Sequence, residues 1–127
     1  MTYRVVIVED HEESAEGLAE LMAVWGYEPH IATDGERALE LFEAVAPHVV
    51  ISDIGLPGMD GHELARRIRS AAGGAGILLV ALTGASDRET LADSNFDHTL
   101  VKPVELDLLE RLLANETRRP LPHENRQ

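Results

Sequence analysis

Val49-Val50-Ile51-Ser52-Asp53 is a short apolar run that ends in a carboxylate. It shows little polar-apolar alternation, which suits a strand buried on both faces of a parallel sheet. Three other runs read the same way. Val5-Val6-Ile7-Val8 runs into Glu9-Asp10, Ile77-Leu78-Leu79-Val80-Ala81-Leu82 ends in Thr83, and Thr99-Leu100-Val101 ends in Lys102. If these four strands are parallel, three carboxylates, a hydroxyl and an ammonium meet at one sheet edge. Such an edge suits a divalent cation and a phosphoryl group.

Segments of helical period separate the runs. Ala15, Leu18, Ala19, Met22 and Trp25 repeat at three and four and predict an amphipathic helix over 12–25. Thr33 with Glu36 reads as a capping box before Ala38, Leu41, Phe42 and Val45. Asp60 with Glu63 starts a third helix, Ser86 with Glu89 a short fourth one, and Leu106, Leu109 and Leu113 mark a last helix near 104–116. Strands are expected at 3–8, 28–32, 48–52, 77–83 and 99–101. The alternation predicts an α/β fold, an open doubly wound five-stranded parallel sheet with helices on both faces. Ligands bind such sheets beyond the carboxyl ends of the strands, where the charged run ends fall. Gly73-Gly74-Ala75-Gly76 predicts a flexible loop before the fourth strand.

The 127 residues fit one domain, and the 44% apolar content supports a real core. We expect a domain over 1–116 and a polar, disordered tail over 117–127. The net charge of −12 and the scattered arginines leave no basic stripe for a nucleic acid. No apolar run approaches the ~20 residues of a membrane span. The chain enters a strand at once and does not read as a signal peptide. Without cysteine, disulfides and thiolate metal sites are excluded. The expected setting is the cytoplasm, without a nucleic-acid or membrane partner.

Val8-Glu9-Asp10, the stretch Asp53-Ile54-Gly55-Leu56-Pro57-Gly58-Met59-Asp60-Gly61, Leu82-Thr83-Gly84 and Leu100-Val101-Lys102-Pro103 together resemble the receiver domains of two-component response regulators. The resemblance runs from about residue 3 to 116, and its wording is nearest to receivers that work with hybrid histidine kinases. It implies the flavodoxin-like strand order 2-1-3-4-5. It also implies that Asp53 is the phosphoacceptor, taking a phosphoryl group from the phosphohistidine of a sensor histidine kinase or phosphotransfer protein. By the same resemblance Asp10, Asp53, the backbone carbonyl of Gly55 and, often through water, Glu9 hold magnesium, with manganese as its substitute. Thr83 and Lys102 bind the phosphoryl group and switch with it. Gly84, Pro57 and Pro103 support them, and the Lys102-Pro103 bond is cis.

The chain departs from this family at Thr99, where an aromatic switch residue usually stands. The stretch from Thr83 to Lys102 is about one helical turn short. Phosphorylation is therefore expected to order residues 84–95 instead of burying a ring. His98 is no substitute, since adjacent strand residues face opposite sides. The six histidines show no i, i+4 ligand spacing, so no histidine metal site is expected. The module is read as a phosphoacceptor that catalyses its own phosphorylation and dephosphorylation, not as a turnover enzyme. The alternative is a non-phosphorylated pseudo-receiver that only binds. A phosphohydrolase of the haloacid-dehalogenase type is disfavoured, because Gly55 stands where its second aspartate is needed.

Overall fold

A computed structural model describes residues 2–84 and 92–117. Five strands, β1 (Arg4–Val8), β2 (Glu28–Ala32), β3 (Val49–Asp53), β4 (Leu78–Thr83) and β5 (His98–Val101), form one parallel sheet in the order β2-β1-β3-β4-β5. Four described helices follow in chain order: α1 (Glu12–Val24), α2 (Gly35–Val45), α3 (Gly61–Ser70) and α4 (Leu106–Thr117). The doubly wound architecture is therefore the one the sequence predicts. The short helix expected after Ser86, and the tail beyond Thr117, lie outside the described residues.

Alternating strand residues feed two cores. Val6, Val8, Val50, Leu79 and Ala81 pack with Ala38, Leu41 and Phe42 of α2 and with Leu64, Ala65 and Ile68 of α3. Val5, Ile7, Val49, Ile51, Val80 and Leu82 pack on the other face with Met22 of α1 and Leu109 and Leu113 of α4. Each fully buried Leu, Ile or Met side chain contributes about 1.5–3 kcal/mol. Among the described residues both faces are packed, and the sheet meets buried polar side chains at its strand ends.

Several boundaries shift by a residue or two. Asp34, not Thr33, caps α2: its side chain accepts the Arg37 amide at 2.8 Å. A carboxylate at this position also faces the positive end of the helix dipole, which a threonine hydroxyl cannot exploit. Asp60 caps α3 through the Glu63 amide, as its spacing predicts. Thr117 belongs to α4 and not to a tail. It is buried, and its carbonyl accepts the Tyr3 hydroxyl at 2.7 Å.

The glycine-rich loop is tied rather than loose. Arg69 at the end of α3 donates to the carbonyls of Gly74, Ala75, Ile77 and Asn95 and pairs with Asp97 at 2.8 Å. A Cβ at Gly74 would lie 1.7 Å from the Ile68 carbonyl oxygen, so only glycine fits there. One guanidinium thus satisfies acceptors in the loop and in the residues that lead into β4 and β5.

A second anchor sits at the opposite edge of the sheet from the strand-end carboxylates. His48 Nδ1 accepts the Arg4 amide at 3.0 Å, so that nitrogen must be unprotonated. Burial, aided by the Arg4 charge, holds the His48 pKa below its ordinary 6.5. A depressed imidazole pKa contributes stability that is complete above 6.5 and lost as pH falls through the folded value. His48→Ala is expected to destabilise the protein at about pH 8 and to cost less by about pH 5. Urea unfolding at the two pH values reads this directly. A wild-type minus variant difference that does not change with pH would overturn it.

Candidate functional site

β3 ends at Asp53, and the pairing register places that end beside Leu82 of β4, one residue from Thr83. Asp53 is 4% exposed, and Glu9, the first residue after β1, is 7% exposed. Both owe their burial to flanking strands: Glu9 continues the sheet by donating its amide to Ala32, and Ile54 does so by donating to Leu82. The parallel topology therefore carries two carboxylates into the dry end of the sheet.

Lys102 enters from β5. Its amide donates to the Thr83 carbonyl at 2.7 Å, and its bond to Pro103 is cis. The ammonium lies 2.8 Å from Asp53 Oδ1 and 3.3 Å from Glu9 Oε1. The contact to Asp53 is an ion pair off the hydrogen-bonding direction, so Oδ1 is buried without a directed hydrogen bond. Thr83, itself buried, lines the same cavity of about 290 Å³ with Asp10, His11, Asp53, Ile54, Gly55, Leu82, Gly84 and Lys102. Every site residue expected from the sequence at a strand end is thus in one place. Pro57 is exposed in the loop beyond Leu56 and does not line the cavity. Thr99 lies on β5 opposite Ala81, half-buried, and His98 points instead to Glu116 of α4 at 3.2 Å. Most of the segment expected to order on phosphorylation, residues 85–91, lies outside the described residues.

Two features were missed by the sequence reading. Gly61, the first residue of α3, lies against the acceptor strand: a Cβ there would meet the Asp53 carbonyl oxygen at 2.5 Å and Ile54 Cα at 2.8 Å. Its amide donates to Ile54 at 2.8 Å. Glycine is thus what lets α3 start directly under the acceptor loop. The second is His11, whose ring approaches Glu9 and Asp10. A search for i, i+4 histidine pairs could not find a ligand set built from three consecutive residues.

The electrostatics divide the two buried acids. Burial, then the hydrogen bond it shares with Glu9, pushes Asp53 up from 3.8 to about 6, against the pull of Lys102. Burial also works to raise Glu9, but hydrogen bonds from Asp53, the His11 amide and Lys102 outweigh it and bring Glu9 to about 2. Physically, two crowded carboxylates hinder each other's ionisation, and Asp53 is the harder of the two to ionise. The partner charge raises the Lys102 pKa despite its own burial, so the ammonium stays charged. All the candidate metal donors from Glu9, Asp10, Asp53 and the Gly55 carbonyl are hard oxygens, which suits a magnesium-like cation. The directionally unsatisfied Asp53 Oδ1 is the atom that most needs one.

Comparison with known proteins agrees with this geometry. The model of the response regulator receiver domain matches residues 5–114. The chain is 34% identical over 113 residues to the sensor histidine kinase RcsC of Salmonella typhimurium, covering 87% of this chain and 12% of that protein. It is 34% identical over 116 residues to the response regulator MprA of Mycolicibacterium vanbaalenii, covering 90% and 50%. It therefore spans half or less of these relatives. Among solved structures it is similar to the receiver domain of sensor histidine kinase PA1611 from Pseudomonas aeruginosa, with a TM-score of 0.82, 26% identity and 91% and 97% coverage. That structure holds a magnesium ion in its active-site cleft. A CheY-like receiver domain from Methylobacillus flagellatus matches with a TM-score of 0.82 and 26% identity over 91% and 99%.

The raised Asp53 pKa has a consequence for the metal-free protein. A carboxyl pKa raised on folding contributes stability that is complete below 3.8 and is lost as pH rises through about 6. Asp53→Asn mimics the protonated acid. In a chelator it is expected to match the wild type near pH 4 and exceed it by on the order of 2 kcal/mol near pH 8. Urea unfolding of both proteins across this range is the check. No pH-dependent divergence would mean that Asp53 is not crowded as described.

Proposed function

We propose that this chain, which belongs to the response regulator receiver domain family, takes a phosphoryl group on Asp53 from a phosphohistidine of a sensor kinase or phosphotransfer protein. The observation that carries the reading is the buried Asp53 carboxylate with its single ammonium at 2.8 Å and a second buried acid beside it. An Asp53 oxygen forms the new O–P bond. The P–N bond breaks, and its electron pair returns to the leaving imidazole. Carboxylates serve as nucleophiles in such transfers when the charge around the phosphorus is neutralised.

The residues divide the work. Asp10, Asp53 and the Gly55 carbonyl, with Glu9 directly or through water, hold magnesium or manganese, which when bound offsets the charge on the phosphoryl oxygens. Nucleophilic Asp53 must be ionised, and neutralising the charge beside it lowers the raised pKa toward that state. Lys102 then turns from Asp53 to the phosphoryl oxygens as a mobile point charge. Thr83 donates its hydroxyl to the same group, and the Thr83 carbonyl bond to the Lys102 amide makes the two move together. Gly84 keeps the approach open, and Pro57 and Pro103 hold the adjoining loops. The chain is a phosphoacceptor that passes a signal by partner binding in the cytoplasm, rather than a turnover enzyme. No feature of the site favours the pseudo-receiver reading, since acceptor, acids, hydroxyl and ammonium converge.

Incubation with a small-molecule phosphodonor and magnesium is expected to label Asp53 alone, as an acyl phosphate labile to hydroxylamine. Asp53→Ala should lose the label, and Lys102→Arg should keep the charge yet impair the response to phosphorylation. Millimolar magnesium should also raise the melting temperature of the wild type more than that of Asp53→Asn. Labelling retained in Asp53→Ala would remove Asp53 as the acceptor.

A further inference from the structure

Ser52 interrupts the aliphatic run Val49-Val50-Ile51 directly before the acceptor. It is 2% exposed. Strand alternation turns its side chain to the same face as Val50, which packs in the core with α2 and α3. A hydroxyl in such a place costs stability unless it is hydrogen-bonded. Its partner is close: Ser52 Oγ donates to the main-chain carbonyl of Asp53 at 2.8 Å. The β1–β3 pairing ends with Val8 opposite Ser52, one residue short of that carbonyl. On the other side of β3, the Ile54 amide donates to the Leu82 carbonyl at 3.1 Å. The peptide between Asp53 and Ile54 is therefore held at both ends, its N–H by β4 and its C=O by Ser52. α3 closes on the same carbonyl, since a Cβ at Gly61 would lie 2.5 Å from it.

We propose that Ser52 is a positioning residue for phosphoryl transfer: its hydroxyl fixes the Asp53–Ile54 peptide plane, and through it the aim of the Asp53 side chain. This rests on the reading of Asp53 as the phosphoacceptor. A peptide group is planar, so holding both of its ends sets the backbone torsion at Asp53, from which the Cα–Cβ bond departs. Without the hydroxyl, a buried carbonyl loses its donor, and the plane turns to find another. A nucleophile displaced by about 1 Å can lose on the order of 10²-fold in rate. Ser52 does not line the cavity, so it acts through the backbone and not on the phosphoryl group. The next carbonyl, that of Ile54, accepts the Gly61 amide at 2.8 Å and the Leu56 amide at 3.0 Å. Two successive carbonyls are thus pinned where the chain leaves β3 for Gly55.

The test compares the intact chain with Ser52→Ala, Ser52→Thr and Ser52→Val. Threonine keeps the hydroxyl, and valine has nearly the same shape without it. Phosphorylation of Asp53 by phosphoramidate at saturating Mg²⁺ is followed by mass spectrometry, on proteins that circular dichroism shows to be folded. The rate is expected to fall about tenfold in Ser52→Ala and Ser52→Val, and to stay within about threefold of the wild type in Ser52→Thr. In NMR, the carbonyl carbon resonance of Asp53 should move upfield in the two variants without a hydroxyl and stay in place with threonine. A wild-type rate in Ser52→Ala, equal rates in Ser52→Thr and Ser52→Val, or a carbonyl resonance indifferent to the hydroxyl would each overturn the proposal. If the wild type takes no phosphoryl group on Asp53, the acceptor reading falls instead, and the carbonyl resonance still decides whether Ser52 holds the peptide.

Discussion

Everything at the candidate site depends on one constraint: two carboxylates are buried together at the end of a parallel sheet with one ammonium between them. Glu9 and Asp53 are each more than nine-tenths buried, and Lys102 reaches both. Two acids and one base leave an excess negative charge in a place where water cannot screen it well. That excess makes Asp53 hard to ionise and pushes its pKa up to about 6. A divalent cation beside it would ease that ionisation further. The same crowding that costs stability therefore suits the proposed loading of a cation and a phosphoryl group.

The sheet is what makes such crowding tolerable. Both faces are packed by helices, so β1, β3 and β4 are apolar through their middles, and their buried polar side chains gather at their carboxyl ends. Each acid follows a strand whose backbone is satisfied by its neighbours, as in the bonds from Glu9 to Ala32 and from Ile54 to Leu82. The cost of burying charge is thus confined to side chains, while the peptide groups around them are paired. Gly61 completes the arrangement from below. It lets α3 begin within contact of the Asp53 carbonyl, which a methyl group would forbid.

This division explains what could be read from the sequence. Runs such as Val49–Asp53 announce both a buried strand and the charge that ends it, so the sheet and Asp53, Thr83 and Lys102 were legible together. Features that depend on which atoms meet across the fold were not. Asp34 took the cap from Thr33 because the helix starts one residue later, a difference too small for a spacing rule to detect. Arg69 reads in sequence as one more arginine beside Arg66 and Arg67, but its guanidinium reaches carbonyls from the loop, from the residue before β4 and from the turn before β5. The loop it holds reads as flexible only when glycine content is counted without its partner. His11 escaped for the same reason: consecutive Glu9-Asp10-His11 converges only because the backbone turns between β1 and α1.

The use of cations shows how the chain separates stability from switching. Its arginines with described partners are fixed donors: Arg4 holds the carbonyls of Val45 and Ala46, Arg69 holds the Gly74 loop, and Arg37, Arg66 and Arg67 pair with glutamates on their own helices. A planar guanidinium suits such tasks because several acceptors fix it in one orientation. The one lysine is kept for the site. Its ammonium can rotate its donors and divides its reach between Glu9 and Asp53, at 3.3 and 2.8 Å. In the proposed transfer this group leaves one anion for another as the charge at Asp53 changes, which a five-acceptor cage would prevent. The backbone amide of Lys102 is nevertheless anchored to Thr83, so the residue is fixed at its root and free at its tip. Under the proposed transfer, that combination would carry a change of charge at Asp53 to the ends of β4 and β5 without unpairing the sheet between them.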